Sequence, residues 1–269
     1  MTQDEYFGTD DQRAVLRRGQ SMAVLLWGDA RFGYYGRTVG LVSPQDGGIE
    51  DLAALARIQG YSNYSAVPEN ATATLKAQLE ARGLIPTHYA KWEGTDAALS
   101  AARDVIATVA LPDDITVHRM DGATSREHMD SFAAMALGCG VLPLCGAAMR
   151  GLLRPSVCLF ALDSRNTVVS CAATSAFAHK DHPVWADQAW WGMLATDPSR
   201  RGQRLALILG AMAIRDMAAD FGFRNFMTGV VPGNAPSEAV CARMGLVRGE
   251  SAIIGCADPH ALTSGRMTK

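Results

Sequence analysis

The sequence predicts an α/β fold, of the α+β kind, in which a mixed and mostly antiparallel sheet is flanked by helices. Two observations support this prediction. Short apolar runs bounded by turn residues, which are typical of strands, alternate with longer segments whose apolar residues recur at helical spacing. The composition, 48% hydrophobic and 19% charged over 269 residues, is that of a chain that can bury a normal core.

The second half of the chain gives the clearer order of elements. It predicts a strand, two helices, a hairpin and another strand, followed by a long helix, a strand, a short helix and a final strand. The strands are expected at 115–119, 157–162, 167–176, 189–195, 224–231 and 246–255, and the helices at 125–137, 143–153, 203–221 and 237–244. This order predicts a mixed sheet with helices on both of its faces.

The first half of the chain predicts a smaller set of elements. Strands or apolar runs are expected at 21–28, 38–42 and 84–92, and helices at 49–58, 71–82 and 96–110. Pro112 ends the last of these helices, because proline restricts the residue before it, and the strand pattern starts again after Asp114. We therefore divide the chain into an N-terminal α/β unit (1–112), a second domain (113–256) and a C-terminal tail (257–269).

Charge and cysteine content argue against several classes of protein. The formal net charge of −2 gives no reason to expect nucleic acid or an anionic membrane as a partner. The six cysteines include no CxxC pair and most have apolar neighbours, so we expect reduced cysteines in a cytoplasmic protein. The acidic N-terminal segment does not predict a signal peptide, and the apolar run 22–27 is far too short to span a bilayer.

The most informative segment is a strand–turn–helix junction between Leu194 and Ala206. The first turn of its helix offers backbone N–H groups without intrahelical partners and the positive end of the helix dipole. Arg201 and Arg204 add cationic side chains, and Gly202 allows close approach of the backbone to a ligand. These features predict a site for a pyrophosphate group. The chain has neither a P-loop pattern nor the GxGxxG pattern of dinucleotide-binding folds at this place.

The junction resembles the acyl-CoA loop of the GNAT acetyltransferases. The usual form of that loop is Arg/Gln-x-x-Gly-x-Gly/Ala, and the sequence here is Arg201-x-x-Arg204-x-Ala206. A downstream segment, from Asn234 to Leu246, is similar to the family's Asn-x-x-Ala-x-x-Leu-Tyr-x-x-x-Gly-Phe with its main spacings kept. The resemblance covers residues 113–256. It implies an N-acetyltransferase that takes acetyl-CoA as cosubstrate, needs no metal ion and acts on the amine of a small metabolite.

The resemblance also implies roles for individual residues. The end of the strand before the junction, near Met193 or Leu194, would supply a backbone N–H to the thioester oxygen. Acetyl-CoA is expected to contact the strand end, the loop, the first helical turn and the downstream segment, which together comprise Leu194, Ala195, Thr196, Arg201, Gly202, Gln203, Arg204, Leu205, Ala206, Asn234 and Ser237.

Two positions depart from the family pattern, and both concern the chemistry. Arg204 replaces the usual glycine, and its side chain could either crowd the pyrophosphate or add a charge contact to it. Cys241 replaces the tyrosine that usually protonates the leaving thiolate, so it is a candidate acid, with a buried structural role as the alternative. The candidate bases lie in the loop before the strand, where His182 and Asp187 are chosen over the neighbouring His179 and Asp181.

The N-terminal unit contains an echo of the second domain. Val67-Pro68-Glu69-Asn70-Ala71 parallels Val231-Pro232-Gly233-Asn234-Ala235. We interpret the unit as a degenerate half of a second GNAT-like unit without a phosphate site, and chance similarity of strand–turn–helix units is the alternative. Two other functions stay open at this point, a non-catalytic acyl-CoA-binding or sensing protein and a scaffold. Homodimer formation is also left open.

Overall fold

The computed structural model describes residues 5–267 of the chain. Its helices are α1 (Asp10–Leu25), α2 (Ile49–Gln59), α3 (Thr72–Glu80), α4 (Asp96–Thr108), α5 (Arg126–Gly138), α6 (Gly146–Met149), α7 (Leu205–Phe221) and α8 (Ala235–Arg243). Its strands are β1 (Phe32–Gly33), β2 (Gly40–Leu41), β3 (Tyr61–Pro68), β4 (Ile85–Gly94), β5 (Thr116–Arg119), β6 (Ser156–Leu162), β7 (Val168–Ala176), β8 (Gln188–Thr196), β9 (Asn225–Val230) and β10 (Val247–Ala257).

The strands form a ten-stranded sheet in the order β1-β2-β3-β10-β4-β9-β8-β7-β6-β5. Neighbouring strands are antiparallel except in the pairs β2–β3 and β8–β9, which confirms the predicted mixed and mostly antiparallel sheet. The strand β10 lies between β3 and β4 and pairs with both. The two halves of the sequence therefore share one sheet. The division of the chain at Pro112 stays a prediction.

The centre of the sheet has approximate two-fold symmetry in the order and direction of its strands. On either side of the β10–β4 pair comes one antiparallel strand, β3 or β9, and then its parallel neighbour, β2 or β8. The helices follow the same rule, because α2 precedes β3 as α7 precedes β9, and α3 follows β3 as α8 follows β9. This repeat agrees with the sequence echo and with a degenerate GNAT-like half in the N-terminal unit.

Helices cover both faces of the sheet, and alternating residues of each strand contribute to the two cores. Trp190 and Met227 belong to the core on one face, which also contains Phe132 of α5. Their chain neighbours Trp191 and Phe226 belong to the core on the other face, under α7. Helix α4 of the N-terminal unit packs on that same face against α7.

Local sequence signals explain where several helices begin and end. Thr9 caps α1, because its hydroxyl accepts a hydrogen bond from the N–H of Gln12 while the Gln12 side chain accepts one from Thr9. Helix α2 ends at Gly60, whose φ of 100° is in the left-handed region that glycine adopts without steric cost. No helix within residues 5–267 is long and apolar enough to cross a membrane.

Three local predictions differ from the structure. The strand expected at 21–28 is the last turns of α1 and the residues after it, and its side chains Val24, Leu25 and Trp27 are exposed rather than packed in a sheet. The helix expected at 143–153 is only the short α6. Strand β3 was not predicted, because Ser62, Asn63 and Ser65 interrupt its apolar pattern, although all three are buried.

Candidate active site between two diverging strands

A cavity of about 430 Å³ opens where the parallel strands β8 and β9 move apart. Their ladder runs from Gln188–Asn225 to Trp190–Met227 and includes no later pair in the described part of the chain. Beyond that point β8 continues to Thr196 and β9 to Val230. The cavity is lined by both diverging strands, by α8 and by residues of the N-terminal unit. Its volume is within the usual range of small-ligand sites.

A β-bulge at Met193 lies on the wall of this cavity. The register between β7 and β8 shifts between Cys171 and Ala173, and Met193 has a φ of 54°, in the left-handed region. The Cys171 thiol donates a hydrogen bond to the Met193 carbonyl at 3.0 Å, which helps to hold the bulge. Because β9 has already diverged, the backbone groups on that edge of β8 face the cavity instead of a strand. Met193 and Leu194 both line it, where the sequence predicted the oxyanion-binding amide.

The predicted pyrophosphate loop joins the end of β8 to the start of α7. Asp197 holds the first turn, since its Oδ1 accepts hydrogen bonds from the Ser199 N–H at 2.9 Å and from the Ser199 hydroxyl at 2.6 Å. Arg200 forms an ion pair within the protein, with its Nη2 2.8 Å from the carboxylate of Asp114. Arg201 is exposed. The loop therefore presents one arginine that is paired within the protein and others that are available for a ligand.

Backbone amides at the start of α7 point to an anion site. Among residues 5–267, the N–H groups of residues 202–206 have no hydrogen-bond acceptor, and the first helical bond is the one from Ile208 to the carbonyl of Arg204. Gly202 has a φ of 81°, and Arg204 a φ of 60°. Free amides at a helix N-terminus fit the oxygen atoms of a pyrophosphate.

The second predicted segment, from Asn234 onward, lies across the cavity from β8. Asn234 caps α8, because its Oδ1 accepts a hydrogen bond from the Ser237 N–H at 3.4 Å. Both residues line the cavity, as does Cys241. Burial, with a smaller contribution from Glu238, raises the pKa of the Cys241 thiol to about 12. Of the predicted cosubstrate contacts, Leu194, Ala206, Asn234 and Ser237 line the cavity itself. Leu205 begins α7 with its side chain buried in the core, and the others lie on the adjoining strand end and loop.

The two candidate bases lie away from this cavity. His182 is buried, its Nδ1 accepts hydrogen bonds from the N–H groups of Val184 and Trp185, and its Nε2 is 3.3 Å from Asp46. Asp187 is exposed at the other end of β8, where it accepts a hydrogen bond from the side chain of Asn225. Neither lines the cavity, so their placement lends no support to a base role, which stays a prediction.

The far end of the cavity is built by residues that the sequence did not point to. Tyr35 stacks on Trp190 with ring centroids 4.7 Å apart, and both residues line the cavity. Trp191 also lines the cavity, and its indole donates a hydrogen bond to the Gly210 carbonyl in the core. Arg37 lies beside this stack, 5.5 Å from the Trp190 ring. Other lining residues of the N-terminal unit are Thr38, Tyr61, Asn63, Ser65 and Tyr89. The only available signal was the N-terminal echo, which gives no residue roles.

Comparison with known proteins agrees with this geometry. Residues 130–246 match the model of the acetyltransferase (GNAT) family. No curated protein matches the chain. A GCN5-related N-acetyltransferase from Kribbella flavida has a TM-score of 0.54 at 14% identity, with 94% of this chain and 98% of that one covered.

Two further solved structures share the fold. A GCN5-related N-acetyltransferase-like protein from Streptococcus suis has a TM-score of 0.51 at 15% identity, over 84% of this chain and 81% of that one. A tandem GNAT protein from the clavulanic acid biosynthesis pathway has a TM-score of 0.51 at 17% identity, over 73% of this chain and 63% of that one. At these identities the likeness concerns the fold alone. The match to the family model covers residues 130–246, so this segment is similar to the GNAT acetyltransferases.

Proposed function

We propose that the protein transfers the acetyl group of acetyl-CoA to the amine of a small molecule. The observation that carries this proposal is the cavity between β8 and β9, which has a strand bulge on its wall and lies next to the free amides at the start of α7. The amides and Arg201 would bind the pyrophosphate. The pantetheine arm would then run past Leu194 and Asn234 and bring the thioester to the bulge at Met193.

The proposed reaction is a direct attack of the amine nitrogen on the thioester carbon. A C–N bond forms, the C–S bond breaks, and the electron pair of that bond leaves with the thiolate. A backbone N–H at Met193 or Leu194 would stabilise the negative charge that develops on the carbonyl oxygen. Holding both reactants in one cavity would supply a large part of the rate enhancement.

Proton transfer is the less defined part of the proposal. A free alkyl amine with a pKa of about 10.4 is mostly protonated at neutral pH, so it must lose a proton before attack. None of the described cavity-lining residues is an Asp, Glu or His. We therefore propose that water carries this proton out of the cavity, with His182 and Asp187 retained as candidates for its final acceptor. The leaving thiolate would take a proton from water or from the amine nitrogen, which becomes positively charged when the C–N bond forms.

The proposal is tested first by calorimetry and then by turnover. Wild-type protein is expected to bind acetyl-CoA, and the double variant R201A/G202V is expected to lose that binding, because it removes one cation and places a branched residue at a φ of 81°. The matched control is R165A, which removes an exposed arginine in the β6–β7 turn. Unchanged affinity in the double variant would remove the basis of the proposal.

A second function is favoured by two observations. The cavity lacks an evident base among the described lining residues, and Cys241, in place of the family's tyrosine, has a pKa raised to about 12. A protein that binds acyl-CoA without transferring the acyl group would tolerate both features. Release of free CoA thiol in the presence of a panel of small amines separates the two functions, because a sensing protein would bind acetyl-CoA and release none.

A further inference from the structure

Arg37 is a buried cation on the wall of the cavity. The residue is only 8% exposed, yet it lines the cavity together with Thr38 and Asn63. It belongs to the segment between α1 and β2, so the N-terminal unit places it there. A buried arginine normally has a carboxylate or several hydrogen-bond acceptors around it, since loss of hydration is otherwise uncompensated.

The hydrogen bonds of Arg37 are incomplete within the protein. Its Nη2 donates to the carbonyl oxygen of Leu142, and its Nε is buried without an acceptor among the described residues. No carboxylate of the described chain lies within ion-pair distance of its guanidinium. The aromatic rings of Tyr35 and Trp190, at 5.9 and 5.5 Å from the guanidinium carbon, hold the group in place without neutralising it.

The charge of Arg37 determines which ligand charge the cavity favours. Arg37 is the one charged residue among the described lining residues. The cavity therefore attracts an anion and disfavours a second cation on the ligand. A guanidinium with free N–H groups recognises carboxylate and phosphate oxygens better than it recognises neutral groups.

Arg37 lies close to the place where the proposed reaction occurs. The Trp190 ring contacts Arg37 and also covers Gly192, because a Cβ added to Gly192 would overlap with that ring. Gly192 directly precedes the bulge at Met193, where the proposed function places the thioester. Arg37 and the proposed site of attack thus both lie next to the Trp190 ring. This arrangement suits a small ligand whose amine is close to its anionic group.

We propose that the acceptor is a small amine that carries an anionic group, a carboxylate or a phosphate, and that Arg37 binds this anion. The inference rests on the proposed function for the statement that the bound amine is acetylated, but the binding itself is independent of turnover. It also assigns the N-terminal unit a task, the recognition of the acceptor. Arg37 is then a residue that determines specificity.

The test compares ligands that differ only in the anion. Glycine, L-alanine and L-leucine are each set beside the corresponding carboxamide, and glucosamine 6-phosphate beside glucosamine. Binding to the CoA-saturated protein is measured by the shift of Tm, and turnover with acetyl-CoA by kcat/KM. We expect at least one anion-bearing amine to bind about 10- to 100-fold more tightly than its neutral partner. The amino acids and the sugar phosphate distinguish the two sources of the anion.

Variants of Arg37 test whether this residue causes the preference for the anion-bearing amine. R37Q keeps a donor for the Leu142 carbonyl but removes the charge, so it should weaken binding of the anion-bearing amine far more than that of its neutral partner and abolish the difference within the preferred pair. R37K should retain part of the preference. R103Q, which alters an exposed residue of α4, is the matched control. The Tm of each variant without ligand shows whether it is folded.

Two results would overturn the inference. One is equal binding of every anion-bearing amine and its neutral partner to the wild-type protein, a comparison that needs no variant to fold. The other is an equal loss of both partners in R37Q. Anion-dependent binding without acetyl transfer would support the inference and contradict the proposed function. Acetyl transfer without an anion preference would support the proposed function and contradict the inference.

Discussion

At residue scale, the left-handed backbone of Arg204 explains why this family position usually holds glycine. With φ 60° and ψ 22°, Arg204 is the N-terminal cap of α7 and places its side chain in solvent. An L-residue pays roughly 1–2 kcal/mol for this conformation, whereas glycine pays almost nothing. Because the exposed Arg204 side chain has no ion-pair partner among the described residues, we expect it to make a charge contact with the pyrophosphate rather than to crowd it.

A pair of substitutions separates the backbone effect of Arg204 from its charge. Arg204→Gly should unfold with a free energy about 1 kcal/mol higher than Arg204→Ala, because only glycine relieves the strain. Both variants should bind acetyl-CoA several-fold more weakly than wild type, since both lose the cation. Chemical denaturation and calorimetry measure the two quantities. Tighter binding by the glycine variant would mean that the side chain crowds the ligand.

The second residue-scale prediction concerns Cys241, which we expect to be nearly dispensable. A thiol whose pKa is raised to about 12 by burial is a weak proton donor to a thiolate of ordinary basicity. Cys241→Ala and Cys241→Ser should both keep most of kcat, and neither should change the pH dependence of kcat below pH 10, because the thiol does not titrate there. A loss of about a hundredfold in the alanine variant with an unchanged Tm would identify Cys241 as the acid.

The sequence could predict cosubstrate residues better than acceptor residues, for a physical reason. Residues 194–206 and Asn234 act through local backbone geometry, namely a strand end and helix N-termini, which short sequence patterns encode. Arg37 reaches the same cavity from about 150 positions earlier in the chain, through the pairing of β3, β10 and β4. Nothing in the sequence near Arg37 encodes that meeting. His182 and Asp187 show the converse, because proximity in sequence to β8 did not bring them to the cavity.

At element scale, the loop before α2 shows how the N-terminal repeat differs from the functional one. This loop corresponds to the pyrophosphate loop before α7, but its own carboxylates bind two of its amides. Asp46 accepts a hydrogen bond from the Ser43 N–H at 2.8 Å, and Asp51 accepts one from the Gly48 N–H at 3.0 Å. Negative charge already lies where a phosphate would bind, which supports the prediction of a repeat without a phosphate site.

This difference predicts the stoichiometry of cosubstrate binding. Of these two loops as the structure describes them, the one before α7 presents arginines without an ion-pair partner and the one before α2 presents carboxylates, so calorimetry should give one acetyl-CoA per chain. The double variant D46N/D51N removes both charges from the other loop, and we expect it to leave the stoichiometry at one because no cation replaces them. A value of two for the wild-type protein would contradict the interpretation of the N-terminal unit as degenerate.

The bulge in β8 gives a second prediction at this scale. A Cβ at Gly192 would overlap with the Trp190 ring, which cannot easily retreat because it stacks on Tyr35. Gly192→Ala should therefore displace the ring and lower kcat/KM by at least about tenfold, the cost of about 1.4 kcal/mol in the transition state. Gly138→Ala is the matched control, since a Cβ there would meet nothing within 4 Å. Equal kinetics of the two variants would mean that the position of Trp190 does not matter.

The bounds of helices and strands were predicted well where the apolar pattern of the sequence agrees with the burial seen in the structure. Helix α2 ends at Gly60 as predicted, and the hairpin β6–β7 lies within one residue of its expected bounds. The apolar pattern failed where a helix that begins earlier in the chain continues through the apolar run. The apolar run after Ser21 is helical and partly exposed, because the capping box at Thr9 starts a helix that continues through it.

At the scale of the whole molecule, the exchange of strands between the two halves determines whether the halves separate after proteolytic cleavage near Pro112. Each half donates its last strand to the centre of the sheet, where β4 and β10 pair with each other and with β9 and β3. Helix α4 adds an apolar contact with α7 across the boundary. The hydrogen bonds and buried area that join the halves therefore do not depend on the covalent link near Pro112.

Limited proteolysis tests this arrangement. The link between α4 and β5 includes Asp113 and Asp114, which are exposed, so we expect early cleavage at 111–114. The two fragments should remain together in gel filtration and should still bind acetyl-CoA, since the strands β4 and β10 would each lose both of their partners if the fragments separated. In contrast, a separately produced fragment 113–269 should be unfolded or aggregated, because β9 would expose one unpaired edge and β10 would have no partner. Addition of fragment 1–112 should restore acetyl-CoA binding. A fragment 113–269 that folds and binds acetyl-CoA alone would show that the second domain does not need β4, and early cuts confined to 115–256 would show that the link near Pro112 is not the accessible one.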